Sequence, residues 1–187
     1  MEKYLRCLLD LIRSVILNDK NIELPEDINI TLLFELAKKH SIENIIYVAL
    51  QNIVPADNNI MTIFSEYYIH SIAHDAKQQY YLEIVTETFE KNHIPYCIMK
   101  GGVIKNLYPS SDLRQASDLD IYVGKKHTKQ VKSVMESLGF VTESYDEKFH
   151  HDNYRIDKTI EIEIHREFFS KKFKWYNECK QIPGRFI

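Results

Sequence analysis

All five glycines of this 187-residue chain lie beyond position 100. Glycine is the residue that turns most cheaply, so a hundred residues without it favour long helices joined by short connections. Pro25, Pro55 and Pro95 are the only strong breaks in that half. The apolar spacing agrees. Leu5, Leu8, Leu9, Ile12, Val15 and Ile16 recur at helical intervals and predict an amphipathic first helix. Asp10 and Arg13 interrupt its apolar run, which therefore reads as neither a signal peptide nor a membrane span. "TLLFELAKKH" predicts a second helix capped by Asp27 or Asn29. Ser41 is the expected cap of a third, "IENIIYVALQNI", which stops before Pro55. From Asn58 to Lys91 there is neither Pro nor Gly, so one long helix is expected, with His70 to His74 as the place for any kink.

The pattern changes at Pro95. "PYCIMK" is a short apolar run bounded by Pro and Gly, the mark of a buried strand. "GGVIKNLY" reads as a turn into a short helix ended by Pro109, and "SDLDIYV" as a second strand. "KHTKQVKSVMESLG" predicts a helix with Val131, Val134, Met135 and Leu138 inward and Gly139 closing it. "FVTESYD", "HHDNYRI" and "KTIEIEIHREF" read as three further strands, and the final eighteen residues carry no pattern. Helices first, then mixed strands and helices, predict an α+β fold: a small mixed sheet with helices, preceded by an N-terminal helical region. The expected division is a helical region over 1–92 and an α/β domain over 93–187.

A net charge of -3 argues against nonspecific nucleic-acid binding, although 24 Lys and Arg leave room for a local basic groove. Cys7, Cys97 and Cys179 are odd in number and far apart, so neither a disulfide framework nor zinc-ligand spacing follows. A reducing, cytoplasmic location is the expectation.

Residues i and i+2 of a strand share a face. Asp118 and Asp120 therefore stand together, with Leu119, Ile121 and Val123 on the reverse. Adjacent carboxylates repel unless solvent or a cation separates them. In "TIEIEIH", Glu161, Glu163 and His165 share a face opposite Ile160, Ile162 and Ile164. If that strand lies beside the Asp-x-Asp strand, a third carboxylate joins the pair. Such a trio holds two divalent cations about 3.5–4 Å apart, the spacing used for in-line phosphoryl transfer. Alternation leaves open whether Glu161 or Glu163 is the third ligand. Ahead of them, Gly101-Gly102 lets backbone approach phosphate without a Cβ in the way, and Lys100 adds positive charge. The Walker and dinucleotide-binding glycine spacings are both absent.

In this order the pieces resemble the nucleotidyltransferase superfamily that includes DNA polymerase beta: a Gly-Gly turn, Asp118-Leu119-Asp120, then Glu163 on a later strand. More narrowly the chain resembles an uncharacterised bacterial nucleotidyltransferase family. The matching features are Lys100-Gly101, Tyr108-Pro109, Arg114 four residues before Asp118, Gly139-Phe140, His150-His151 and Glu163-Ile164-His165. The resemblance spans roughly residues 30 to 170. Two departures stand out: a long spacer between Gly102 and Asp118, and an end soon after the third carboxylate, which fits a C-terminally truncated or minimal member.

The resemblance implies a polymerase beta-like fold and a Mg²⁺- or Mn²⁺-dependent transfer of a nucleoside monophosphate from an NTP to a hydroxyl. Asp118, Asp120 and Glu163 would be the catalytic metal ligands. Lys100, Gly101, Gly102 and Arg114 would bind the nucleotide phosphates, or Arg114 forms an ion pair with Asp112 or Asp118. His165 and Glu161 would support the ligands, or His165 simply packs at a strand end. His150-His151 either touches the acceptor or is solvated. The acceptor is a small molecule, a protein or an RNA end, with nucleic acid not favoured by charge and no membrane involved. Two alternatives stand beside this reading: an antitoxin-like or regulatory module that keeps the fold and binds a protein partner, and a two-metal phosphodiesterase.

Overall fold

The computed structural model describes residues 2–19, 21–51, 53–55, 58–145 and 149–167. The patternless final eighteen residues, and the ends of "FVTESYD" and "HREF" at Asp146 and Phe168, lie outside them. Two compact units form: Met1–Ala76 with Ile104–Gln115, and Lys77–Val103 with the chain from Ala116 on.

The first unit contains α1 (Glu2–Ile16), α2 (Ile30–Lys39), α3 (Glu43–Leu50) and the start of α4 (Asn59–Lys91). Its core gathers Leu8, Leu11, Leu33, Ala37, Ile46, Leu50 and Phe64. The buried face of α1 is Tyr4, Cys7, Leu8, Leu11 and Ser14, whereas Leu5, Leu9 and Ile16 remain exposed. The apolar stripe is wider than the surface available to cover it. Asn29 caps α2 by accepting from the Leu32 N–H at 3.1 Å, while Asp27 pairs with Lys3 instead.

Ser41 does not cap α3, whose N-cap is Ile42 with no side-chain hydrogen bond. It closes α2 in the left-handed region at φ 52°, with Ser41 N–H on Lys38 O and Ile42 N–H on Ala37 O, both 3.1 Å. Asn18 and His93 do the same at the ends of α1 and α4, with φ 53° and 55°. Such a closing position favours glycine. The glycine-free half fills it with Asn, Ser and His at some steric cost. Gly139, φ 88°, takes the corresponding place after α6 (Thr128–Ser137), with the Phe140 N–H on Met135 O. α4 runs 33 residues without a break, through His70 to His74. Among the described residues no helix is long and apolar enough to cross a membrane.

In the second unit five strands form one sheet in the order β1-β2-β5-β4-β3: β1 (Cys97–Ile98), β2 (Asp118–Tyr122), β3 (Val141–Ser144), β4 (His151–Ile156) and β5 (Ile160–His165). β2 and β5 are parallel and the other pairings antiparallel, so the sheet is mixed as expected. The "PYCIMK" strand is only two residues long and half-buried. Leu119, Ile121, Ile160, Ile162 and Ile164 bury one face of the sheet with Val85 and Phe89 of α4 and Val131 and Met135 of α6. α5 (Lys100–Ile104) connects β1 towards β2.

Candidate functional site

Because β2 and β5 are parallel neighbours, their polar faces merge. Asp118 stands beside Glu161 and Asp120 beside Glu163, with Tyr122 beside His165. The reverse of both strands is apolar core, so alternation places these polar groups on one face. Asp120 is 4% exposed and His165 2%. A carboxylate and an imidazole so buried need partners, and they have each other: His165 Nε2 lies 2.7 Å from Asp120 Oδ1 and 3.3 Å from Glu163 Oε2.

Lys100 approaches from the turn after β1. Met99 N–H donates to the Asp120 carbonyl at 2.9 Å, which pins that turn to β2. Lys100 then adopts φ 42° and donates from Nζ to Asp120 Oδ1 at 2.6 Å. The left-handed residue here is thus the lysine, not either glycine. Gly102 is needed for a different reason. A Cβ there would sit 2.7 Å from Ile98 Cγ2, so only glycine lets α5 lie this close to β1. Its N–H donates to Met99 O at 3.2 Å, and both glycines are buried.

The charges respond to this packing. Burial alone would raise the Asp120 pKa, but hydrogen bonds from His165 and Lys100 outweigh it and hold the carboxyl below its ordinary range. Glu163 is lowered by the bond from His165 against its own burial. Burial pushes the His165 imidazole down, and its bonds to Asp120 and Glu163 more than restore it, for a net rise. Lys100 follows the same pattern: burial opposes its charge, and Asp120, then Glu163 and Asp118, raise it.

The two glutamates left open by alternation are distinguished by their neighbours. Glu161 accepts from Asn153 Nδ2 and an Arg155 guanidinium nitrogen, each at 2.8 Å. Glu163 instead groups with Asp120 and His165, their ligand atoms all within 4.8 Å of one another. Asp118 is outside that group and accepts from Ser117 Oγ at 2.7 Å. Arg114 belongs to the first unit, at the end of the 3-10 turn Ser111–Leu113, and makes no ion pair with Asp112 among the described residues.

Two features escaped the sequence reading. His150 and His151 are not a solvated pair: with His165 they form a second group whose ligand nitrogens lie within 4.8 Å of one another. Burial and the two neighbouring rings lower the His150 pKa. Beneath them, Arg166 holds Asp152 through Nε at 3.0 Å and a second nitrogen, both side chains being buried. The signal was present. In "HHDNYRI" alternation puts Asp152 on the inward face with Tyr154, and a buried carboxylate requires a buried cation.

The donor set is two carboxylates and an imidazole, with a lysine ammonium already drawn to one carboxylate. It suits a divalent cation bound with phosphate oxygens. No curated protein matches the chain. A family model described as uncharacterised nucleotidyltransferase matches residues 26–183, which include every strand of the sheet and all of these side chains. The chain belongs to that nucleotidyltransferase family, and its general activity is nucleotidyl transfer.

Proposed function

We propose that this protein moves a nucleoside monophosphate from an NTP to a hydroxyl of a small molecule, a protein or an RNA end, with Mg²⁺ or Mn²⁺. The observation that carries the reading is the register of β2 on β5, which sets Asp120 against Glu163. Asp118, Asp120 and Glu163 would hold the cations, which supply charge neutralisation at the triphosphate. Lys100 carries its ammonium beside Asp120 on an exposed stem and is free to follow a phosphate. It binds the β- and γ-phosphates beside Gly101, while Gly102 lets α5 close on β1 and so sets the turn that carries it. Glu163 takes the proton of the acceptor hydroxyl. The acceptor oxygen then bonds to the α-phosphorus, the bond to the β-phosphate oxygen breaks, and pyrophosphate leaves with that electron pair. His165 keeps Asp120 and Glu163 ionised and oriented, and Glu161 holds β4 through Asn153 and Arg155. Residues 93–187 make up the catalytic region and residues 1–92 its helical partner, and the setting is cytoplasmic.

The test is incubation with each α-labelled NTP, Mg²⁺ or Mn²⁺ and a cell extract. Label should move to an acceptor, and Asp118→Ala/Asp120→Ala should abolish it. Transfer that survives the double substitution sinks the assignment. If no NTP binds with metal present, the regulatory protein-binding reading takes its place.

A further inference from the structure

Beside the carboxylates, the sheet carries three imidazoles in mutual contact. His151 opens β4 and stands opposite His165, the last residue of β5. His150 precedes β4 and its carbonyl accepts the Arg166 N–H at 2.8 Å. The ring centroids of His150 and His151 are 4.4 Å apart, and those of His151 and His165 5.3 Å. Their heteroatoms face one another: His151 Nδ1 is 3.1 Å from His150 Nε2 and 3.8 Å from Glu163 Oε2, which is 3.3 Å from His165 Nε2. Donors 2.0–2.1 Å from a tetrahedral ion lie about 3.3 Å from each other. The 3.1 and 3.8 Å separations bracket that edge length, the ligand nitrogens of the three histidines all lie within 4.8 Å of one another, and the His165 Nε2–Glu163 contact is a hydrogen bond beside the site. His165 also keeps an unpartnered Nδ1 although it is 2% exposed.

We propose that His150, His151 and His165, together with Glu163, form a site for one borderline divalent cation, Zn²⁺ or a close chemical neighbour such as Co²⁺, and not for Mg²⁺. Imidazole suits Zn²⁺, Co²⁺ and Ni²⁺, whereas Mg²⁺ takes oxygen ligands and keeps its waters. The supports are built into the sheet. The Arg166–Asp152 pair is sealed beneath β4, and the β4–β5 register fixes two of the three rings. The site shares Glu163 and His165 with the proposed reaction, but it is read without nucleotide and does not rest on that reaction.

The full chain, stripped with chelator, is titrated with Zn²⁺ by calorimetry and with Co²⁺ by visible absorption. One equivalent of each should bind, Co²⁺ should show ligand-field bands without a thiolate charge-transfer band, and millimolar Mg²⁺ should not displace it. His150→Gln and His151→Ala should each weaken binding on the order of 100-fold, while Asp157→Asn, in the β4–β5 turn, leaves it within about twofold. Thermal melts confirm that each variant folds, and His150→Gln, ahead of the strand, serves alone where His151→Ala does not fold. No stoichiometric binding, a thiolate band, or affinity untouched by both histidine changes overturns the proposal. Zn²⁺ binding without nucleotide transfer leaves this site standing and removes the proposed reaction. Transfer with Mg²⁺ and no Zn²⁺ equivalent does the reverse.

Discussion

Lys100 and Lys105 are five residues apart and each holds an aspartate, yet their surroundings are opposite. In the first unit Lys105 and Asp75 are sealed together, with side chains 5% and 12% exposed, and Ser111 Oγ donates to the other Asp75 oxygen at 2.7 Å. In the second unit Asp120 is sealed at 5%, but the Lys100 side chain is 61% exposed. A sealed pair is permanent because separating it leaves an uncompensated charge away from water. An open pair is exchangeable: the ammonium swings into solvent at little cost, and the carboxylate takes another cation. The first arrangement anchors the loop between α5 and β2. The second leaves the Asp120 carboxylate open to exchange, as the proposed site requires.

Substitutions test that contrast, starting with the largest effect. Lys105→Met should destabilise the protein by about 3–5 kcal/mol in denaturant unfolding, and adding Asp75→Leu should recover most of it. A loss below about 1 kcal/mol would erase the distinction between the pairs. Glu163→Gln should lower kcat on the order of 10³-fold, about 4 kcal/mol of barrier, while its melting temperature stays close to that of the parent. Gly102→Ala pushes a methyl into Ile98 and should cost about 1–3 kcal/mol, displacing the turn that carries Lys100. Lys100→Met should change stability by less than about 1 kcal/mol yet raise the KM for NTP about tenfold through the lost phosphate contact. Unchanged KM would make Lys100 a bystander. Last, His93→Gly touches neither pair and relieves a left-handed residue, so it should stabilise by about 0.5–1 kcal/mol, read as a shift in urea midpoint.

Much of the fold was legible because it rests on periodicity. The long helix over 59–91, the inward Val131, Val134 and Met135, and the split of β5 into an isoleucine face and a carboxylate face all follow from spacing. Helix ends were less legible. Ser41 looks like an N-cap and serves as a left-handed closure, since both uses favour small polar residues and only the chain direction afterwards separates them. The glycine pair was legible as a constraint but not in kind. Gly102 answers to Ile98 across the turn, while the unusual dihedral falls on Lys100.

By itself the sequence determined which residue types share a face: Asp118 with Asp120, and Glu161 with Glu163 and His165. Backbone alternation is local and needs no knowledge of neighbours. Only the tertiary structure decided which of these meet. The parallel register of β2 on β5 brought Asp120 to Glu163, Asn153 and Arg155 occupied Glu161, and the antiparallel return of β4 carried His151 to His165. Strand partners lie tens of residues apart along the chain. Their pairing is set by which apolar faces bury together, a choice that no window of sequence contains.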